Sequence, residues 1–117
     1  IVGSQNLLMA MLDDPAWVKD MFDVSAQMLV EGLEEMTARG FAFDGAFVYD
    51  DMGYRNASLF SPRCYRELLL AAHKHFCDCA HSKGLPVILH SCGRVRELVP
   101  YLVEAGFDCL QPLVWEA

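Results

Sequence analysis

Three short apolar runs, each preceded by a helix-period stripe, constrain this chain more than any other feature. The stripes run through Leu7, Leu8, Met11 and Leu12, then through Val18, Met21, Phe22, Met28, Leu29, Leu33 and Met36. Two more follow, through Tyr65, Leu68, Leu69, Ala72, Phe76 and Cys79 and through Val95, Leu98, Val99, Leu102 and Val103. Apolar residues recurring at steps of three, four and seven describe one face of a helix. Between them Ala46-Phe47-Val48-Tyr49, Val87-Ile88-Leu89 and Phe107 to Leu113 have no helical period and read as short buried strands. Helix, strand, helix, strand, helix, strand is the order of β/α units, which pack as a parallel sheet with right-handed crossovers.

Punctuation sharpens the boundaries. Asp13-Asp14-Pro15 supplies a carboxylate cap and a proline at the first helical position, predicting a long helix to about Arg39 with Gly40 as its stop. Ser61-Pro62 repeats the signal for a helix reaching Gly84. Ser4 or Asn6 is available to cap a first short helix, and Gly32 would allow a close approach on the long one. Pro100 interrupts the last stripe and predicts a short helix with a restart at that residue, ended by Gly106.

Three strands cannot close a barrel, which takes eight β/α units. The expected fold class is α/β, a portion of a (β/α)8 TIM barrel of about three parallel β/α units; a small open doubly wound sheet is the alternative, weakened by the lack of a Gly-rich phosphate loop. The chain of 117 residues begins with Ile1 and stops at Leu113-Val114-Trp115-Glu116-Ala117, so residues 1–117 are expected to be one partial domain of a longer protein. Its 54% hydrophobic content exceeds what so small a domain can bury, which asks for a partner chain or further sequence. The net charge of −7, without a basic cluster, argues against nucleic acid and anionic membrane as partners, and no stretch has the roughly 18 apolar residues of a membrane span. Five cysteines without a secretory leader fit a reducing, cytoplasmic compartment.

In a parallel sheet all strand exits lie on one rim, where such folds build their sites. Asp50-Asp51, His90 with Cys92, and Gln111 are therefore expected to converge there. Histidine nitrogen and cysteine thiolate favour zinc over hard cations, and in His90-Ser91-Cys92-Gly93 both side chains can turn to one ion while Gly93 lets the chain bend away. A catalytic zinc needs three protein ligands, and the motif holds two. Cys109 lies inside the third strand rather than at its exit, so the third ligand is expected outside this segment. The competing reading makes His90 a hydrogen-bonded core residue and Cys92 a small buried apolar one. His73, Cys77 and His81, four apart on one helix, are expected to form a partly exposed face rather than a metal site.

These residues also resemble a family. Val87 to Gly93, Glu97-Leu98-Val99-Pro100 and Glu104 to Leu113 look like the uroporphyrinogen decarboxylase superfamily, as do Asp50-Asp51-Met52-Gly53 and Leu59 to Arg66. The resemblance implies a (β/α)8 barrel, and His-x-Cys is similar to the branch of cobamide-dependent methyltransferases in which this motif and a later cysteine hold zinc. It implies His90 and Cys92 as metal ligands, Asp50 and Asp51 as candidate catalytic carboxylates orienting His90 or the substrate, and Gln111 as a cofactor-side residue. The implied reaction moves a methyl group from a corrinoid, carried on a corrinoid protein, to a small thiol. The alternatives are cofactor-free decarboxylation of a tetrapyrrole, uroporphyrinogen, and a non-catalytic corrinoid-protein binding module.

Overall fold

The computed structural model describes residues 2–112. Helix α1 (Ser4–Asp13) leads into α2 (Pro15–Ala38), then strand β1 (Ala46–Tyr49). A single helical rod follows in three parts, α3 (Pro62–Cys64), a π-helical turn (Tyr65–Leu69) and α4 (Leu70–Ser82). Strand β2 (Val87–His90), a 3₁₀ turn (Arg96–Leu98), α5 (Val99–Ala105) and β3 (Cys109–Gln111) complete the described chain. The strands form one parallel sheet in the order β1-β2-β3, with Tyr49 beside His90 and His90 beside Gln111. The fold is α/β, three parallel β/α units of the kind that make up a (β/α)8 barrel. No helix among the described residues is long and apolar enough to cross a membrane.

Local chemistry accounts for the helix ends. The Asp14 carboxylate accepts the Trp17 N–H at 3.3 Å with Pro15 next in line, and Ser61 Oγ accepts the Cys64 N–H at 3.1 Å ahead of the π turn. Such caps are worth about 1 kcal/mol each. Helix α1 departs from expectation: its cap is Gly3, without a side-chain bond, and Asn6 instead donates to the Val2 carbonyl. Pro100 sits in the first turn of α5, where its missing N–H costs little, and Gly106 ends the helix with φ +108°. The π turn spans Tyr65–Leu69, where no glycine, proline or capping residue signals it in the sequence.

The core lies between the helices and one face of the sheet. Val87 and Leu89 of β2 are fully buried, the first against Cys77, Ala80 and Leu33, the second against Tyr65, Met52, Leu98 and Leu102. Met11, Val18 and Leu68 join α1 and α2 to the rod. The strands are not buried on both faces as expected. Phe47 and Tyr49 of β1 are exposed, Tyr49 at 76%, and so are Cys109 and Gln111 of β3. Alternation explains it: Ala46 and Val48 point to the helices and their neighbours to the other face, which in a (β/α)8 barrel is the interior.

The α2 stripe is likewise only partly core. Val18 and Leu33 are buried, but Met28, Leu29 and Met36 are exposed, and Gly32 has open space around it rather than a close neighbour. The third strand is shorter than expected, since β3 starts at Cys109; its expected end at Leu113 lies outside the described residues.

Candidate metal centre at the strand exits

Two loops leaving neighbouring strands cross and lock. Beyond β1 runs Asp50-Asp51-Met52-Gly53, and beyond β2 runs Ser91-Cys92-Gly93. Ladder bonds hold their roots: the Asp50 N–H donates to the His90 carbonyl and the Ser91 N–H to the Gln111 carbonyl, both at 2.9 Å. At the crossing Gly53 and Gly93 touch backbone to backbone. A Cβ on Gly53 would lie 2.5 Å from the Gly93 carbonyl carbon, and Gly93 has φ +81°. Only glycine permits both the approach and that φ. The Arg94 N–H then bonds the Tyr54 carbonyl at 2.8 Å, Met52 is buried beneath the loop, and its N–H donates to the buried Ser91 Oγ at 3.0 Å.

That lock brings three donor atoms together. One ligand atom each from Asp51, His90 and Cys92 lies within 4.8 Å of the others, the one such group among the described residues. His90 Nε2 is 3.1 Å from Cys92 Sγ and 3.6 Å from Asp51 Oδ1, and Asp51 Oδ1 also accepts the Cys92 N–H at 2.9 Å. Gln111 orients the ring, with His90 Nδ1 and Gln111 Oε1 2.5 Å apart. An amide oxygen only accepts, so Nδ1 carries the proton and Nε2 turns its lone pair to Cys92 and Asp51. Loss of hydration first, then the charge and hydrogen bonding of Asp51, push the Cys92 thiol above its ordinary value. A bound cation would reverse that effect, since a coordinating thiol is deprotonated.

The sequence-predicted residues thus divide. Asp51, His90, Cys92 and Gln111 meet on the rim. Asp50 does not join them: its carboxylate turns to the helix layer and meets His73 Nε2 at 2.9 Å. Adjacent strand residues face opposite ways, which separates the two aspartates. Cys109 pairs with Ile88, two residues before His90 on the strand, and stands outside the cluster.

The His73, Cys77, His81 face is partly exposed, as expected: His73 and Cys77 are buried and His81, near the helix end, is exposed. Cys77 has no accessible surface and its thiol is pushed up to about 12, mainly by burial. His73 is engaged by Asp50 and by Tyr65, and His81 Nε2 pairs with Asp108 at 2.8 Å. Sequence reading missed Ser91 and Glu97 as loop supports. Glu97 accepts both the Ser58 N–H and its hydroxyl at 3.0 Å, which hold its carboxyl below the usual range. The only signal for Ser91 was its place between two candidate ligands.

Parallel β/α units with a nitrogen, a sulfur and an oxygen donor converging at the strand exits define an α/β barrel-type protein with a candidate soft-metal site. Comparison with known proteins agrees in fold and goes further. The family described as Uroporphyrinogen decarboxylase (URO-D) matches residues 1–112, and the chain belongs to it. A curated relative, methylated-thiol–coenzyme M methyltransferase of Methanosarcina mazei, is 30% identical over 109 residues. The match takes in 93% of this chain and 28% of the relative, so the chain spans under a third of that protein's length. No solved structure matches.

Proposed function

We propose that this chain carries part of the active site of a zinc-dependent methyltransferase that moves a methyl group from a corrinoid to a small thiol. The observation that carries this reading is the convergence of His90 Nε2, Cys92 Sγ and Asp51 Oδ1, with Gln111 fixing the histidine tautomer. The donor set fits zinc, which takes nitrogen, sulfur and carboxylate ligands and in catalytic sites keeps three protein ligands and an open position. Asp51 is then a third donor within the chain, in place of one sought beyond it. Zinc, when bound there, would lower the pKa of a coordinated thiol and present it as thiolate at neutral pH.

The rest falls to the chain's own groups. Gln111 holds the Nδ1 proton and so keeps Nε2 free of one. Asp51 accepts the Cys92 N–H, which keeps the Cys92 backbone from drifting out of reach of His90. Tyr49 and Phe47, whose rings lie 5.4 and 6.3 Å from that of His90, offer an apolar wall beside it for a methyl or alkyl group. The relative named above, a methyltransferase of methylated thiols and coenzyme M by its name, supports the same class of reaction. All five cysteines are free, which suits a cytoplasmic enzyme.

Elemental analysis of the full protein tests the reading. About one zinc per chain is expected, lost in His90→Ala and Cys92→Ala together with methyl transfer from a methylated corrinoid to a thiol. Metal-free protein that retains full transfer activity would sink it.

A further inference from the structure

The π turn in the long rod has a consequence for the rim. A π turn takes up one residue more than an α turn, so Tyr65 and His73, eight apart, stack as residues seven apart do in an α-helix, about two turns on the same face. Tyr65 is completely buried and its hydroxyl lies 2.9 Å from His73 Nδ1. His73, itself buried, meets Asp50 Oδ2 through Nε2 at 2.9 Å. One assignment satisfies every atom: Nε2–H donates to the carboxylate, and the Tyr65 hydroxyl donates to Nδ1. The chain of bonds therefore runs from a fully enclosed phenol to the last position before the Asp51 loop.

We propose that the Tyr65-His73-Asp50 chain is a positioning device for the metal centre, with His73 and Asp50 holding the β1 exit so that Asp51 faces His90 and Cys92. Three observations carry it. Asp50 and Asp51 are neighbours on extended backbone, so pinning one to the helix layer aims the other at the opposite face. The Asp50 N–H is bonded to the carbonyl of His90 itself, so rotation at Asp50 disturbs a ligand on the next strand directly. With the exit held this way, Asp51 Oδ1 accepts the Cys92 N–H at 2.9 Å. Neither His73 nor Asp50 touches the reacting groups.

The inference rests on the zinc reading for its metal readout alone. In the full protein, His73→Phe and Asp50→Ala should each speed deuterium exchange at the Cys92 amide at least about tenfold, and weaken zinc binding about 10- to 100-fold, the usual cost of losing a group that orients a ligand. His73→Gln, whose amide can still donate to Asp50, should stay within about threefold of wild type in both. The Asp50 variant removes a half-exposed group, so it keeps the test valid if His73→Phe does not fold. Unchanged exchange at Cys92 in a folded variant overturns the proposal, as does a Gln variant as damaged as the Phe one. A wild-type protein that takes up no zinc refutes the metal reading, while the amide exchange, which needs no metal, still decides this one.

Discussion

Three glycine-to-alanine substitutions separate the forces that hold the two site loops together. At Gly84 the backbone has φ +73° and nothing within 4 Å of an added Cβ, so the Ala variant meets only the left-handed backbone cost, about 1–2 kcal/mol. At Gly53 no positive φ is required, but the Cβ would fall 2.5 Å from the Gly93 carbonyl carbon and 2.7 Å from the Arg94 nitrogen. Both obstacles are backbone, so the loops must part by about 1 Å to reach ordinary contact, and overpacking of that kind costs about 1–3 kcal/mol. Parting also stretches the 2.8 Å bond from the Arg94 N–H to the Tyr54 carbonyl, worth about 1 kcal/mol. Gly53→Ala should therefore lose about 2–4 kcal/mol. Gly93 combines both penalties, with φ +81° and a Cβ 2.5 Å from the Gly53 carbonyl carbon, so its Ala variant should be the worst of the three. Denaturant midpoints at constant slope measure the series in the full protein. Zinc affinity should fall with Gly53→Ala and Gly93→Ala but not with Gly84→Ala, because only the first two move Cys92 relative to Asp51. A Gly53→Ala protein no less stable than Gly84→Ala would refute the locked crossing.

Further outcomes follow from the same structure. Asp108 is held below the ordinary carboxylate range by the Val87 N–H first and His81 second, and Glu97 by the Ser58 backbone and hydroxyl. A depressed folded-state pKa contributes stability that is present above the unfolded value and lost as pH falls through the folded one. Stability should thus decline on acidification below the usual carboxylate range, and Asp108→Asn with Glu97→Gln should flatten that decline in urea titrations from pH 7 to 3. Cys77, fully buried with its thiol pushed up to about 12, should resist iodoacetamide at pH 8 while exposed Cys92 and Cys109 react, as peptide mapping of metal-free native protein will read. Equal labelling of Cys77 would contradict its burial. Asp14→Ala removes the cap on the Trp17 N–H and should cost about 1 kcal/mol by thermal or chemical unfolding.

Much of the architecture was legible in the chain because periodicity and caps act locally. The Asp14-Pro15 and Ser61-Pro62 signals mark the starts of α2 and α3, and Gly106 the end of α5, because each satisfies or frees backbone groups within one turn. The apolar runs mark β1 and β2, and their order with the helices implies parallel pairing, hence a common rim for Asp51, His90, Cys92 and Gln111. What stayed hidden depends on groups distant along the chain. Which aspartate faces the donors is decided by His73, far along the rod. The exposure of Phe47 and Tyr49 depends on which face the helices cover. The role of Gly53 depends on a loop some forty residues on, which presses its backbone against Gly93.

His90-Ser91-Cys92-Gly93 by itself determined that a nitrogen and a sulfur donor stand two residues apart at a strand end, since side-chain chemistry and strand length are local properties. Only the tertiary structure decided that Asp51 joins them, that Gln111 sets the proton on His90, and that Asp50 is drawn away to His73. The physical reason is that a metal centre is a convergence of side chains from separate strands. Convergence follows from register, loop crossing and packing, which no stretch of sequence contains alone.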